Sequence, residues 1–308
     1  MVVAVAVLLV VTGCDSGGRD DTKPRSARWQ LDYVTTMSRE TNVIDIAAAS
    51  RDEGWALGRD IREDGPGEYF LMHRHGTTWK RAETPLRPEK GTEFDNTNTH
   101  LDASSPDNVW LFASQIGYGG FESVGTPRAA RWDGRRWRTT SVDFSVSDVA
   151  VLAPNDVWAL DANPAVGLRH WDGEHWANHD LPGEAEALSA TGPDDIWVVG
   201  SHDDRHLAPS PRTWPATMHF DGKKWRSVPT PELRLPGLKR DGDASLLDVV
   251  AVSRDDAWTD DAEIHEMAFA LHWDGKRWRK APKAIDTALR STPISGRWGP
   301  GTARAGSS

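Results

Sequence analysis

The stretch "HWDGEHW" runs from His170 to Trp176 and sets two indoles around an Asp-Gly pair. It returns as "RWDGRRW" (131–137), "HFDGKKW" (219–225) and "HWDGKRW" (272–278), and in a variant form as "RHGTTW" (74–79). Asp-Gly flanked by apolar positions is a strong hairpin signal, read as a type I′ turn with Asp and Gly at its centre. In that register Trp171 opposes Glu174, His170 opposes His175 and Arg169 opposes Trp176. Trp171 and Trp176 are then diagonal neighbours on one face. The position of Arg169 is Met72, Ala130, Met218 and Leu271 in the other units, so this face is expected to pack against a neighbour. The other face carries His73, Arg131, His170, His219 and His272. The same reading gives a structural role to Trp132, Asp133, Gly134 and Trp137; to Trp171, Asp172, Gly173 and Trp176; to Asp221, Gly222 and Trp225; and to Trp273, Asp274, Gly275 and Trp278.

Upstream of each turn lies a second repeated segment: "IAAASRDEGWALG" (46–58), "LDASSPDNVWLFA" (101–113), "VAVLAPNDVWALD" (149–161), "LSATGPDDIWVVG" (188–200) and "VVAVSRDDAWTDD" (249–261). Each is a run of small and β-branched residues, a Pro/Asp/Asn turn and a second apolar run led by Trp. Five units follow, each reading strand, tight turn, strand, loop, strand, Asp-Gly turn, strand. Their spacing of about forty to sixty residues is that of a propeller blade. Four short antiparallel strands per repeat predict an all-β fold, a β-propeller. Small residues in Ile46–Ala49, Leu101–Ser104 and Leu188–Ala190 suit innermost strands at a crowded axis. Closure has two readings, six blades with the last incomplete or a five-blade ring. "ARWQLDYV" (27–34) looks like a fourth strand without a blade of its own, and the chain after Pro282 looks like a decayed start of a sixth.

These units resemble the kelch and galactose-oxidase-like propellers, and more loosely the Asp-box propellers, over about residues 44–280. They look most like the tryptophan-rich repeats of secreted actinobacterial proteins. They depart from true kelch repeats in lacking a double Gly. The galactose-oxidase likeness does not bring a copper radical site, because a Tyr–Cys crosslink cannot form when the chain's one cysteine is Cys14.

That cysteine has its own setting. The chain opens "MVVAVAVLLVVTGCDSGG", an apolar run well short of the roughly 20 residues a membrane helix needs. Val11-Thr12-Gly13-Cys14 resembles a bacterial lipobox, which implies acylation of Cys14 and a lipid anchor on the extracytoplasmic face of the cell membrane. No basic residue precedes the apolar run, a departure from the lipoprotein pattern. The organisation expected is a signal peptide and lipobox over 1–14, a flexible tether over 15–28, the propeller over 29–283 and a blade remnant with a disordered tail over 284–308.

A net charge of -10 argues against a nucleic-acid partner. The 16 Trp against 3 Tyr and 7 Phe argue for a repeated packing device. Four His at one repeat position, each in a different unit, cannot converge on one metal ion. The chain has no P-loop, dinucleotide fingerprint or nucleophile elbow, and neither cofactor nor metal is predicted.

In a four-stranded blade the first-to-second and third-to-fourth turns share one face of the disc, and here they are short and uniform. The opposite face carries the irregular connections 59–68, 82–98, 115–127, 201–216, 227–244 and 259–267, where binding is expected. Candidate ligand contacts are Tyr118, Phe121 and Glu122 in the Gly-rich, mobile "IGYGGFESVG" (116–125), and His202, Asp203, Asp204, His206 and Trp214 in "SHDDRHLAPSPRTW" (201–214). Three readings of function follow: a monomeric, membrane-anchored binding or scaffold module for a glycan, peptide or protein; a propeller glycosidase or lyase acting on extracellular polysaccharide; or a degenerate gene product without activity.

Overall fold

The structure, a computed structural model, describes residues 40–62, 65–120, 122–163, 166–203, 213–231, 245–261 and 269–281. Cys14, the tether, the strand-like 27–34, the tail 284–308 and the candidate residues Phe121, Asp204 and His206 lie outside the described residues.

All described elements are strands, in five four-stranded antiparallel meanders. Blade 1 is β1 (Thr41–Ala48), β2 (Glu53–Arg62), β3 (Gly65–His75) and β4 (Thr78–Ala82). Blade 2 is β5 (Thr92–Ser105), β6 (Asn108–Gly117), β7 (Arg128–Trp132) and β8 (Trp137–Ser141). Blade 3 is β9 (Val146–Ala153), β10 (Asp156–Asp161), β11 (Leu168–Trp171) and β12 (Trp176–His179). Blade 4 is β13 (Glu184–Gly192), β14 (Asp195–Asp203), β15 (Thr213–Phe220) and β16 (Trp225–Val228). Blade 5 is β17 (Leu246–Ser253), β18 (Asp256–Asp261), β19 (Ala270–Trp273) and β20 (Trp278–Lys280). The inner strands β1, β5, β9, β13 and β17 pack on one another in chain order. The chain is a β-propeller, and its blades follow the sequence repeats.

The burial of each strand follows its place in the blade. The second strand of blade 2 has sheet neighbours on both edges and blades on both faces, so β6 is buried over eight consecutive residues. Outer strands such as β8 are largely exposed. Each blade-to-blade contact rests on one device. The Trp leading a second strand meets the aromatic pair on the third and fourth strands of the next blade. Trp55 lies 5.4 Å from Trp132 and 5.3 Å from Trp137, ring centroid to ring centroid. Trp110 lies 6.2 Å from Trp171, Trp158 lies 5.2 and 6.0 Å from Phe220 and Trp225, and Trp197 lies 5.0 and 5.1 Å from Trp273 and Trp278.

The hairpin register differs from the sequence expectation. Trp171 pairs directly with Trp176, His170 with Ala177 and Arg169 with Asn178. The turn is centred one residue downstream, on Gly173 and Glu174, with the Asp172 amide donating to the His175 carbonyl at 3.2 Å. The cause is the Asp side chain. Asp172 Oδ1 accepts the amides of Glu174 (2.8 Å) and His175 (2.7 Å), which makes Asp the residue before the turn rather than its first central residue. Asp133, Asp221 and Asp274 do the same. The Arg136 amide and the Arg138 guanidinium hold the Asp133 carboxyl down to about 2. Both indoles still share one face, because the slip makes diagonal neighbours direct partners.

The Gly of this turn has two duties. Gly222 has φ +83°, and a Cβ there would lie 2.8 Å from Asp194 Cβ in the turn between β13 and β14. Gly134, Gly173 and Gly275 meet Asp107, Asn155 and Asp255 in the same way, so the two turns of blades 2 to 5 are interlocked at one rim, while Gly76 of blade 1 meets nothing within 4 Å. Two of the expected loops are also more regular than predicted. Residues 59–62 and 65–68 form the end of a long hairpin, with Arg59 paired to Tyr69 and Asp60 to Glu68. The connection 82–98 shortens because β5 begins at Thr92, with an irregularity between Phe94 and Thr99.

Inner strands are tied by side chains that accept amides from the next blade. Asp45 Oδ2 takes Leu101 N (2.8 Å), Asp102 Oδ2 takes Val151 N (2.7 Å), Asp148 Oδ2 takes Leu188 N (2.8 Å) and Ser189 Oγ takes Ala251 N (3.1 Å). Burial pushes the Asp45 carboxyl up to about 6 and that of Asp102 up to about 7, with the accepted amides opposing it.

Two predictions follow from this geometry. Gly222→Ala should destabilise the fold by more than about 1 kcal/mol, since the native φ is unfavourable for Ala; an unchanged thermal midpoint would contradict the interlock. The two raised carboxyls hold a proton more tightly in the fold than in the unfolded chain, where Asp titrates near 3.9. Their contribution to stability is therefore present at low pH and lost as pH rises from about 4 through 6 and 7. Asp102→Asn keeps an acceptor for Val151 and lacks this loss, so its stability relative to wild type should rise between pH 5 and pH 8. A pH-independent difference between the two would contradict the assignment.

Candidate functional site

The repeated His residues are the first site to test. Each packs on the second-strand Trp of its own blade: His73 stacks on Trp55 (3.9 Å), His170 on Trp158 (4.1 Å) and His272 on Trp258 (4.2 Å), and His219 lies tilted by 39° against Trp197 (4.4 Å). Each Nε2 also meets the carboxylate two residues before that Trp: Glu53 (2.7 Å), Asp156 (2.8 Å), Asp195 (2.7 Å) and Asp256 (3.0 Å). Blade 2 puts Asn108 and Arg131 around Trp110 instead. Burial pushes Glu53 up, but bonds from His75 and His73 outweigh it and hold its carboxyl below the usual range. An acid, an imidazole and an indole thus form a brace that orients the Trp for the next blade. Among the described residues, no group of three or more His, Cys, Asp or Glu is placed to hold a metal ion.

The meander topology puts the two sets of short turns on one rim and the remaining connections on the other. On that second rim, blade 1 holds a cleft of about 520 Å³, lined by Arg62, Glu68, Phe70, Arg81, Glu83 and Arg87 among others. Its floor is Phe70, 4% exposed, with the Arg81 guanidinium 3.9 Å from the ring centroid. Arg81 also reaches Asp60 at 2.9 Å, and Arg62 reaches Glu68 at 2.8 Å. Thr84 Oγ1 donates to the Leu86 carbonyl at 3.0 Å and fixes the connection that carries Arg87. Arg87 and Glu83 have no ion-pair partner among the described residues. Behind the cleft, the Phe94 amide donates to the Tyr69 hydroxyl at 3.0 Å, and burial pushes that phenol up to about 12.

The other candidate residues lie on the same rim. Tyr118 (49% exposed) and Glu122 sit on blade 2 between β6 and β7. That loop was expected to be mobile, but backbone bonds order it: Gly120 to Gly117 (2.8 Å), Val124 to Gln115 (2.8 Å) and Tyr118 to Gly91 (3.0 Å). Buried Gln115 accepts from the Glu89 amide (2.7 Å) and the Thr92 hydroxyl (2.8 Å), which joins this loop to the connection beside the cleft. His202 is exposed at the end of β14 and faces Trp214 across the ladder, and Asp203 pairs with Thr213. Those residues belong to blade 4. Blade 3 separates them from Tyr118 and Glu122, so the structure does not bring the two sets together. Arg62, Arg81, Glu83 and Arg87 follow no spacing pattern; the sequence signal for Arg62, Glu83 and Arg87 was that 59–68 and 82–98 are long, and Arg81 had none.

The fold and this cleft define a β-propeller with one irregular rim. No protein-family model matches the chain, and no curated protein matches it. Among solved structures it is similar to the GH74 xyloglucanase from Xanthomonas campestris (11% identity, TM-score 0.48, 78% of this chain and 38% of that one). It is also similar to the SapL1 lectin in complex with alpha methyl fucoside (16%, TM-score 0.46, 79% and 80%) and the fucose-specific lectin from Aleuria aurantia (12%, TM-score 0.44, 80% and 80%). The chain therefore spans well under half of the xyloglucanase. At such identities and scores these likenesses carry no argument about ligand or reaction.

Arg81→Ala should leave the blades folded and uncover Phe70, lowering stability by about 0.5–2 kcal/mol through the lost cation–π contact. Chemical denaturation measures this, and no change would mean the stacking is incidental.

Proposed function

We propose that the chain is a membrane-anchored binding module that presents its irregular rim to an extracellular glycan. The observation that carries the reading is the blade 1 cleft. Guanidinium forks donate and carboxylates accept along a cleft whose Phe70 floor is capped by Arg81, the complement of a hydroxyl-rich sugar. The uniform opposite rim, with its short turns interlocked in blades 2 to 5, supplies the rigid frame such a site needs. A peptide or protein partner would use the same rim. A glycosidase or lyase reading has less support here, because a general acid needs a carboxyl drawn out of water and Glu68 is 58% exposed and ion-paired.

The anchor belongs to the proposal as well: a lipidated Cys14 would hold the module on the outer face of the membrane. Screening the purified protein on arrays of cell-wall and extracellular glycans tests the binding reading. Arg81→Ala and Arg87→Ala should each weaken a bound glycan about tenfold or more, as loss of a charge-assisted hydrogen bond requires. Full affinity in both variants, or no binding to any glycan, would overturn it. Mass spectrometry of the N-terminal peptide tests the anchor: an acylated Cys14 is expected, and an unmodified Met1 would refute it.

A further inference from the structure

The blade 1 cleft offers polar contacts and no open aromatic face, because the Arg81 guanidinium covers Phe70 at 3.9 Å. A sugar ring has hydroxyl edges and an apolar face of C–H groups, and an exposed aromatic ring complements that face. Among the described residues, every Trp, Phe and Tyr side chain is buried or half-buried except Tyr118, which is 49% exposed. A single exposed apolar residue is ordinary on a protein surface. Tyr118 differs in how it is held and in what it is held beside.

The Tyr118 amide donates to the Gly91 carbonyl at 3.0 Å, and the hairpin that carries it closes through Val124 on Gln115 at 2.8 Å. Gly91 and Gly119 take φ of +84° and +72°, a region that favours glycine. Gln115, 3% exposed, accepts the Glu89 amide at 2.7 Å. Arg87 and Pro88, which line the cleft, stand between that bond and Leu86, 2% exposed. One anchored stretch of backbone therefore carries both the wall of the cleft and the support of the Tyr118 ring. We infer that Tyr118 is the aromatic platform of a second subsite, so that the ligand is an oligosaccharide running from the blade 1 cleft onto blade 2. The inference rests on the reading of the cleft as a glycan site. From Arg87 to Gly91 the backbone advances four residues, at most about 14 Å. Blades 1 and 2 pack face to face, and packed sheets stand about 10 Å apart. A span of that size takes more than one sugar ring. A platform already fixed loses little freedom when a sugar stacks on it, which favours binding.

The test is calorimetric titration of the full chain with oligomers of glucose, galactose, mannose, N-acetylglucosamine and glucuronic acid, each from the single sugar to the tetrasaccharide. At least one series should bind, with an affinity that rises about tenfold from the single sugar to the tetrasaccharide, the size of one good aromatic contact. Tyr118→Ala should remove this rise, and Tyr118→Phe, which keeps the ring, should retain it. An affinity independent of length, or a rise that survives in Tyr118→Ala, would overturn the inference. A rise lost equally in Tyr118→Phe would assign the contact to the hydroxyl and overturn the stacking role. In each of these cases, weaker binding by Arg81→Ala and Arg87→Ala would leave the cleft reading standing. Binding by none of the series would overturn both.

Discussion

The blades are held together by an indole placed against an aromatic pair. The second-strand Trp of one blade is buried by the third and fourth strands of the next, and the arrangement recurs four times among the described residues. Its energetics are not simple. The Nε1 atoms of Trp55 and Trp197, and of Trp171, Trp225 and Trp278 facing such Trp residues, are buried with no hydrogen-bond partner. An orphaned donor costs about 1–3 kcal/mol, more than the roughly 0.5–1.5 kcal/mol that an edge-to-face pair adds beyond its area. Burial decides the balance. An indole covering about 200 Å² gains about 5 kcal/mol at 25 cal/mol per Å². Trp110 and Trp158 avoid the penalty by donating to Asn108 and Asp156.

The rest of the blade serves that contact. In blades 1, 3, 4 and 5 the His packed on the Trp and the acid that holds the His fix the indole in one orientation, and Asn108 and Arg131 take that place in blade 2. The Asp-Gly turn sets which residues of the following hairpin meet it. Displacing the Asp from the turn centre to the residue before it makes the two indoles direct partners, and so gives the incoming Trp one compact target. Inner-strand Asp residues perform the corresponding task at the axis, where they bond the amides that face the next blade and accept a desolvation cost to do so.

Architecture was legible in the sequence because it is repeated. "WDGxxW" and the Trp-led second strands mark each blade, and their order fixes the meander. The exact turn register was not legible, since Asp-Gly supports both a central and a preceding role for Asp, and only the bonds of Asp172 to Glu174 and His175 choose between them. The brace was half visible. His73, His170, His219 and His272 stood out as a column, but their partners Glu53, Asp156, Asp195 and Asp256 sit on another strand and are joined to them only by pairing. The cleft was hidden because nothing in it repeats. Arg62, Arg81 and Arg87 are brought together by a long hairpin and a fixed connection, and isolated arginines carry no pattern.

The division of the molecule into a uniform rim and an irregular rim follows from the same contacts. In blades 2 to 5 the interlocked Gly and Asp/Asn turns leave no room for variation on one side, and the connections on the other are free to differ between blades. Everything depends on the Trp contact being an energetic coupling between blades rather than incidental proximity. A double-mutant cycle on Trp197 and Trp273, each replaced by Leu and measured by chemical denaturation, tests this directly. The account predicts that the two changes couple by about 0.5–1.5 kcal/mol, the range for aromatic pairs. Losses that add to within about 0.3 kcal/mol would contradict it.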